Sequence, residues 1–523
     1  MLYIESPEKP KKEKHDISAE FNKIGRIYTF IALLSTTLTT FGTLYAVETT
    51  QKLKSSLDIK FAEKPSEALE TILDGSYALS CLISGLIILK IGPQTASVAA
   101  AVLTFILISS QFLAISGDSG LVFGLSSAGI QACRALLITS QAVFLSGWFM
   151  GRYLSMAIGV VLALNQSADV LADIASEYFF RRFRTLFSPF LACAILACMS
   201  CLVGLGYSPV HWRRWDSVVA IFGPVSTQNS KISLGRKNKN MDDFEDEFDL
   251  KPEKVTLRTV LNDLNSPLLW LSAINYILAN FAISVFLELR PWILAYLFGA
   301  AQLAEYLPLN IITVLAISIT PFYSWVCYRL GYKSVINTIG GLILCILVVV
   351  LVAMGSKRPN LTNILFFAFC NLHSILSICV YSFVILACPH RSLAVLFGIV
   401  EAEKAGLMII FEKQKNRFFT ISDLKESKKR SNEIALLIVW ALFALNFVVS
   451  WILMRVDSRS GGLLFFKEDG KQVEILKKKV NGKAMRVDEG SGGPLSLGRT
   501  IFTVGRTAFS LGRTEVRSAH EIF

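Results

Sequence analysis

Apolar residues gather into twelve long runs, near 24–48, 68–90, 94–116, 119–147, 153–178, 186–207, 267–298, 306–328, 334–355, 361–388, 393–411 and 433–455. A helix rising about 1.5 Å per residue crosses a roughly 30 Å hydrocarbon layer in about 20 residues, so each run reads as a span. The pattern predicts an all-α membrane protein with twelve transmembrane helices. An even number of crossings returns the chain to its starting face, so both termini share one side. A polar stretch, 208–265, divides the runs six and six; it carries Arg213, Arg214, Arg236 and Lys237 ahead of an acidic block from Asp242 to Asp249. The expected parts are a cytosolic segment 1–23, an N-terminal six-helix bundle 24–207, a cytosolic loop 208–265, a C-terminal six-helix bundle 266–456 and a cytosolic, disordered tail 457–523.

Composition agrees with this reading. The 523 residues are 53% hydrophobic and 18% charged, with mean hydropathy +0.51, more apolar side chain than one globular core can bury. The net charge of +12 sits in loops and tails without interleaved aromatics, which points to a membrane surface and away from nucleic acid. The ten cysteines fall in or beside apolar runs and suggest no disulfide framework. Cys193, Cys198 and Cys201 share one run without histidine or acid and read as packing residues; no metal or cofactor is expected. The charged first 23 residues lack a cleavable-signal pattern, so the first helix is expected to double as the insertion signal. Lys9, Lys11, Lys12, Lys14 and Lys23 favour a cytosolic N-terminus, whereas Arg181, Arg182, Arg184 and the basic stretch 413–430 oppose it.

The second run ends Gly85-Leu-Ile-Ile-Leu-Lys90-Ile-Gly92, and the eighth, after Pro321, ends Ser324-Trp-Val-Cys-Tyr-Arg329-Leu-Gly331. In both copies a small residue lets helices approach, a basic residue meets helix C-terminal carbonyls, and a glycine turns the chain. The pair resembles the loop Gly-x-x-x-Asp-Arg-x-Gly of the major facilitator superfamily, with Leu89 and Tyr328 in place of the acid. Two further stretches narrow the resemblance: Leu137 to Gln141 with Trp148 to Gly159, and Cys388 to Glu401 with Gly406-Leu407. They are similar to the lysosomal dipeptide uniporters of the major facilitator superfamily domain-containing protein one branch. That resemblance implies two six-helix bundles, alternating access, an endomembrane address and an accessory membrane glycoprotein. It also implies a dipeptide-holding glutamate and arginine, but the matching positions here carry Ala135, beside Arg134, and Gln166.

An ionisable group at mid-bilayer costs about 2.5–3.5 kcal/mol on insertion scales, so each one needs a partner or a wet cavity. In the fifth run Asn165, Gln166, Asp169, Asp173 and Ser176 lie on one helical face, predicted to line the cavity or, for Asp173 together with Glu177, to snorkel or pair with Arg181 and Arg182 near the helix end. Arg134 stands two turns before Gln141 on the fourth run, where it could hold a substrate carboxylate or Asp169. Glu401 and Lys404 are three apart and can pair, while Glu403 points elsewhere. Trp270, Tyr276, Asn280, Asn371 and His373 are further lining candidates on the seventh and tenth runs, where the resemblance places the cavity.

The function expected is secondary transport of a small organic solute, dipeptide or amino-acid-like. The alternative is a receptor or scaffold that keeps the fold without transport. An enzyme is not expected: Gly117-Asp-Ser-Gly120 has no suitable histidine nearby, and Asp169 and Asp173 share one helix, whereas an intramembrane aspartyl protease needs an acid from each of two. Lysosomal or other endomembrane residence comes only from the resemblance, with the plasma membrane the alternative. Asn360-Leu-Thr362 is an N-glycosylation sequon, lumenal in the expected topology. The tail repeats Ser496-Leu-Gly-Arg-Thr500 as 503–507 and 510–514, with a similar stretch at 233–237.

Overall fold

A computed structural model describes residues 13–61, 67–149, 152–222, 260, 263–298, 309–354, 359–420 and 425–460. The acidic block, most of the central loop and the tail repeats lie outside the described residues, as does the side chain of Asn360. All described elements are helical: α1 Glu13–Lys52, α2 Lys54–Phe61, α3 Glu67–Ile91, α4 Pro93–Ser116, α5 Gly120–Trp148, α6 Arg152–Phe183, α7 Phe187–Phe222, α8 Pro267–Phe298, α9 Leu309–Leu330, α10 Lys333–Met354, α11 Pro359–Ala387, α12 His390–Thr420 and α13 Lys425–Ser460. Every predicted run has its long helix, and α2 is a short addition after α1. Among the described residues nine helices are long and apolar enough to cross a membrane; α12, with Glu401, Glu403 and Lys404, is not one of them.

One boundary differs from expectation. The stretch beginning at 208 opens as helix, because α7 continues to Phe222. Trp212, Trp215, Val219 and Phe222 recur every three or four residues there, an amphipathic stripe that sustains a helix beyond the apolar run.

We call the face where α1 enters and α13 leaves the near face. At that end the halves join along two matched seams, α3 on α12 and α6 on α9. A Cβ on Gly85 would lie 2.7 Å from the Ala394 carbonyl oxygen, and one on Gly398 would collide with the Cys81 carbonyl. In the other seam a Cβ on Gly159 would collide with Ser324. Gly85 and Ser324 are corresponding residues of the two motif copies, so each half offers its motif's small residue to a glycine of the other. The motif glycines also match, with φ of 82° at Gly92 and 75° at Gly331, a conformation strained for any other residue. Between the motif residues, Arg329 lies over Trp325 at 5.4 Å, Lys90 is exposed, and Pro321 leaves its carbonyl to Ser324 Oγ at 2.6 Å.

Apolar packing repeats the distinction between faces. The largest cluster draws on both halves, with Phe144, Phe149 and Ile158 beside Tyr381, Phe383 and Phe397. The other large clusters stay within one half, around Phe286, Phe369 and Phe443 in the C-terminal bundle and around Tyr45, Ile130 and Cys193 in the N-terminal one. The halves therefore meet at the near face and part toward the far face. Gly398→Leu should prevent this closure, because its side chain has only backbone to displace; raised labelling of near-face cysteines by an impermeant thiol reagent would register it, and unchanged labelling would contradict it.

Candidate substrate site

Glu401 is buried midway along α12 and is met from three directions. Tyr276 Oη on α8 donates to it at 2.5 Å, Tyr77 Oη on α3 at 3.3 Å, and Lys404 Nζ pairs with it at 2.5 Å. The i,i+3 spacing places Lys404 on the face of Glu401 and leaves Glu403 exposed. Aromatic rings close the pocket around the acid: Tyr276 packs against Phe397 at 5.8 Å and Tyr381 at 6.0 Å, and Lys404 stands 5.8 Å from the Tyr276 ring centre.

Tyr77 links this cluster to the N-terminal half. Its hydroxyl is on Glu401 while its ring lies 5.2 Å beneath the Arg134 guanidinium. Arg134 makes no ion pair among the described residues, and its buried Nε has no hydrogen-bond partner. Asp169 on α6, Glu48 on α1 and Glu401 all act on it electrostatically. The guanidinium is thus held by a ring and surrounded by acids without contacting Asp169 directly.

The predicted polar face of α6 divides. Asn165 Nδ2 donates to Gln141 Oε1 at 3.1 Å, and both residues meet Thr40 Oγ1 at 3.4 Å, so their polar groups face one another inside the N-terminal bundle. Ser176 Oγ donates to Thr49 at 2.9 Å. Asp173 pairs with Lys52 of α1 and not with Arg181, which takes Glu177. Threonine-rich α1 thus covers most of that face, and it was the partner the α6 pattern did not reveal. Gln166 and Asp169, both half-buried, remain without direct partners among the described residues.

The weaker candidates separate from the centre. Trp270 Nε1 donates to the Leu264 carbonyl at 2.7 Å, anchoring the chain as it enters α8 at the near face. Asn280 bonds back to the Tyr276 carbonyl at 2.8 Å. Asn371 accepts from Tyr323 Oη at 2.9 Å, and His373 Nδ1 meets Ser377 Oγ at 3.1 Å, so both are engaged within the C-terminal half. Tyr77 and Glu48 were missed. The signal for Tyr77 lay in its stripe with Cys81, Ser84 and Gly85, at the spacing of one helix face turned toward α12.

The sequence matches no protein-family model, and no curated protein matches it. Solved structures do. FucP, a major facilitator superfamily transporter in the outward conformation, aligns with TM-score 0.56 at 10% identity, covering 81% of this chain and 98% of its own. The proton:xylose symporter XylE, bound to 6-bromo-6-deoxy-D-glucose, gives TM-score 0.59 at 15% identity over 82% of this chain and 96% of its own. A second structure of the E. coli fucose:proton symporter FucP gives 0.53 at 10% identity over 82% and 98%. The chain has the major facilitator fold. Within the major facilitator fold of this chain, the Arg134, Tyr77 and Glu401 network lies at the junction of the halves, between the glycine seams and the parted far face.

Proposed function

We propose that this chain is a secondary transporter that moves small carboxylate-bearing solutes, dipeptides or amino-acid-like compounds, by alternating access between the two faces. The observation that carries this reading is Arg134, held on Tyr77 with its Nε unpaired at the junction of the halves. Its guanidinium takes the substrate carboxylate by parallel hydrogen bonds. Asp169 and Glu48, the acids around it, receive a cationic group when the substrate has one. Glu401 and Lys404 satisfy each other and, through Tyr77, couple the occupied Arg134 to the C-terminal half. FucP and XylE, transporters of the same fold, support transport as the class of activity.

Uptake of a dipeptide and amino-acid panel into proteoliposomes tests the proposal. Uptake of a carboxylate solute above empty liposomes supports it; none, from protein that elutes as a single folded species, favours the scaffold reading. The near face is assigned to the cytosol, with 208–265 and the tail after 457 on it, and the membrane to a lysosomal or other endomembrane compartment by resemblance. Protease protection of both segments in sealed vesicles exposing their cytosolic face would overturn that orientation.

A further inference from the structure

The far-face end of the N-terminal bundle holds a cavity of about 500 Å³. Three pieces of chain build it: α2, the end of α4 with its turn into α5, and the end of α6 with its turn into α7. Ser56 and Lys60 come from the first, Ile115 and Asp118 from the second, and Phe180, Arg184, Thr185, Leu186 and Phe187 from the third. Asp118 and Arg184, with φ of 51° and 52°, are the non-glycine residues of positive φ among the described residues. Both line this cavity. Backbone in that region persists only where its surroundings enforce it, and it gathers at places that clamp a ligand.

The charges around the cavity do not cancel. Lys60 pairs with Asp118 at 3.1 Å and also donates to the Ile115 carbonyl at 2.5 Å. Arg181, in the last turn of α6, is taken by Glu177. Arg184 makes no ion pair among the described residues, so one guanidinium is left over, with the hydroxyls of Thr185 and Ser56 on the same cavity. The place is the boundary of the hydrocarbon layer, because the apolar span of α4 ends at Ser116 and that of α7 begins at Phe187. These two helices pack on each other, and Leu103, Leu113, Leu191 and Ile195 on them are exposed, a surface that acyl chains cover. Phe180, Leu186 and Phe187 carry that apolar surface into the cavity.

We propose that this cavity is a phospholipid site: the headgroup phosphate sits on Arg184, and the acyl chains leave over Phe180, Leu186 and Phe187 onto the lipid-facing sides of α4 and α7. The guanidinium presents its planar fork to two phosphate oxygens, and Thr185 and Ser56 donate to the others. One unpaired positive charge matches the single negative charge of a phosphodiester, so a lipid whose headgroup has no cation of its own, such as phosphatidylglycerol, fits best. Free phosphate would satisfy the guanidinium but leave the apolar surface beside it in water, which favours the lipid. The site stands apart from the junction of the halves, and its occupation does not depend on transport. Bound there, the phosphate ties α2 to the turn between α6 and α7.

Native mass spectrometry of the full chain in detergent, titrated with phosphatidylglycerol, tests the site. Arg184→Gly, which removes the guanidinium and relaxes the positive φ, should weaken binding of the first lipid about tenfold or more. Arg184→Lys, with the charge but without the fork, should fall between that variant and the wild type. Arg182→Ala removes an exposed neighbouring cation that does not line the cavity, and should stay within about twofold of the wild type. Dioleoylglycerol, with tails and no phosphate, should not compete, and inorganic phosphate should compete only far above the lipid's concentration. Unchanged binding in Arg184→Gly would overturn the site, as would an equal loss in Arg182→Ala, which would mark attraction to a generally basic surface. Competition by inorganic phosphate at the lipid's own concentration would assign the cavity to a soluble anion and overturn the lipid proposal.

Discussion

Arg134→Ala is expected to reduce uptake of carboxylate-bearing solutes by roughly 30-fold or more while the protein stays folded. Truncating one partner of a buried, hydrogen-bonded charge pair costs about 2–5 kcal/mol of binding, which sets the size of the loss. Folding is expected to be spared because Arg134 has no ion pair to lose among the described residues and its Nε makes no hydrogen bond. The guanidinium's contact with the Tyr77 ring contributes about 0.5–2 kcal/mol, and removing a charge from the membrane interior recovers about 2.5–3.5 kcal/mol on insertion scales. Arg134→Lys keeps the charge but loses the planar fork, so it should restore abundance and only part of the uptake. Measuring uptake and detergent thermostability on the same preparations decides the matter. If Arg134→Ala unfolds and Asp169→Asn rescues it, the arginine is an internal counter-ion; if it transports normally, the arginine does not hold the substrate.

Glu401→Ala should act on the fold itself. The carboxylate is the common partner of Tyr276, Tyr77 and Lys404, and its removal leaves the Lys404 ammonium and two tyrosine hydroxyls without their acceptor. Breaking one side of a buried charge pair costs about 3–5 kcal/mol, a large share of any membrane domain's margin. The expected result is a clear fall in the detergent melting midpoint, with much of it regained in the double variant Glu401→Gln with Lys404→Met, which removes both charges and keeps the volume. A midpoint unchanged in Glu401→Ala would mean that solvent reaches Lys404 freely and that the cluster is no structural centre.

The architecture could be read from the sequence because a span is a local property. About 20 apolar residues declare a helix whatever lies beside it, which is why all twelve runs returned as helices, although α1 and α7 extend more than ten residues beyond theirs. The repeated turns at Lys90-Ile-Gly92 and Arg329-Leu-Gly331 were also legible, since a positive φ at the end of a helix needs glycine in both places. Partnerships between helices were not. Asp173 reads as an interfacial acid near Arg181, and only the register of α1 against α6 brings Lys52 to it. Gln141 and Asn165 looked like lining residues because each is polar on an apolar helix; that they bond each other directly, with Thr40 of α1 beside both, depends on how α1, α5 and α6 pack. Tyr77 was hidden for a related reason. Its stripe with Cys81, Ser84 and Gly85 marks a helix face but not its partners, and its two roles, a hydroxyl for Glu401 and a ring for Arg134, come from helices far away in sequence.

The two near-face seams have a mechanical consequence. Along Gly85 with Gly398 and Gly159 with Ser324 the backbones touch almost directly, so no long side chains must disengage before one half turns against the other. Such a seam behaves as a bearing: it fixes the axis and offers little resistance to rotation. Resistance must then come from elsewhere, and at this face it comes from the rings of Phe144, Phe149 and Phe397, buried where the halves meet. Shortening these rings should loosen the closed near face without disturbing either bundle, whereas filling the bearing should hold that face apart. In the proposed transport cycle the lifetime of a far-open state would be governed by these rings, and its geometry by three glycines and a serine.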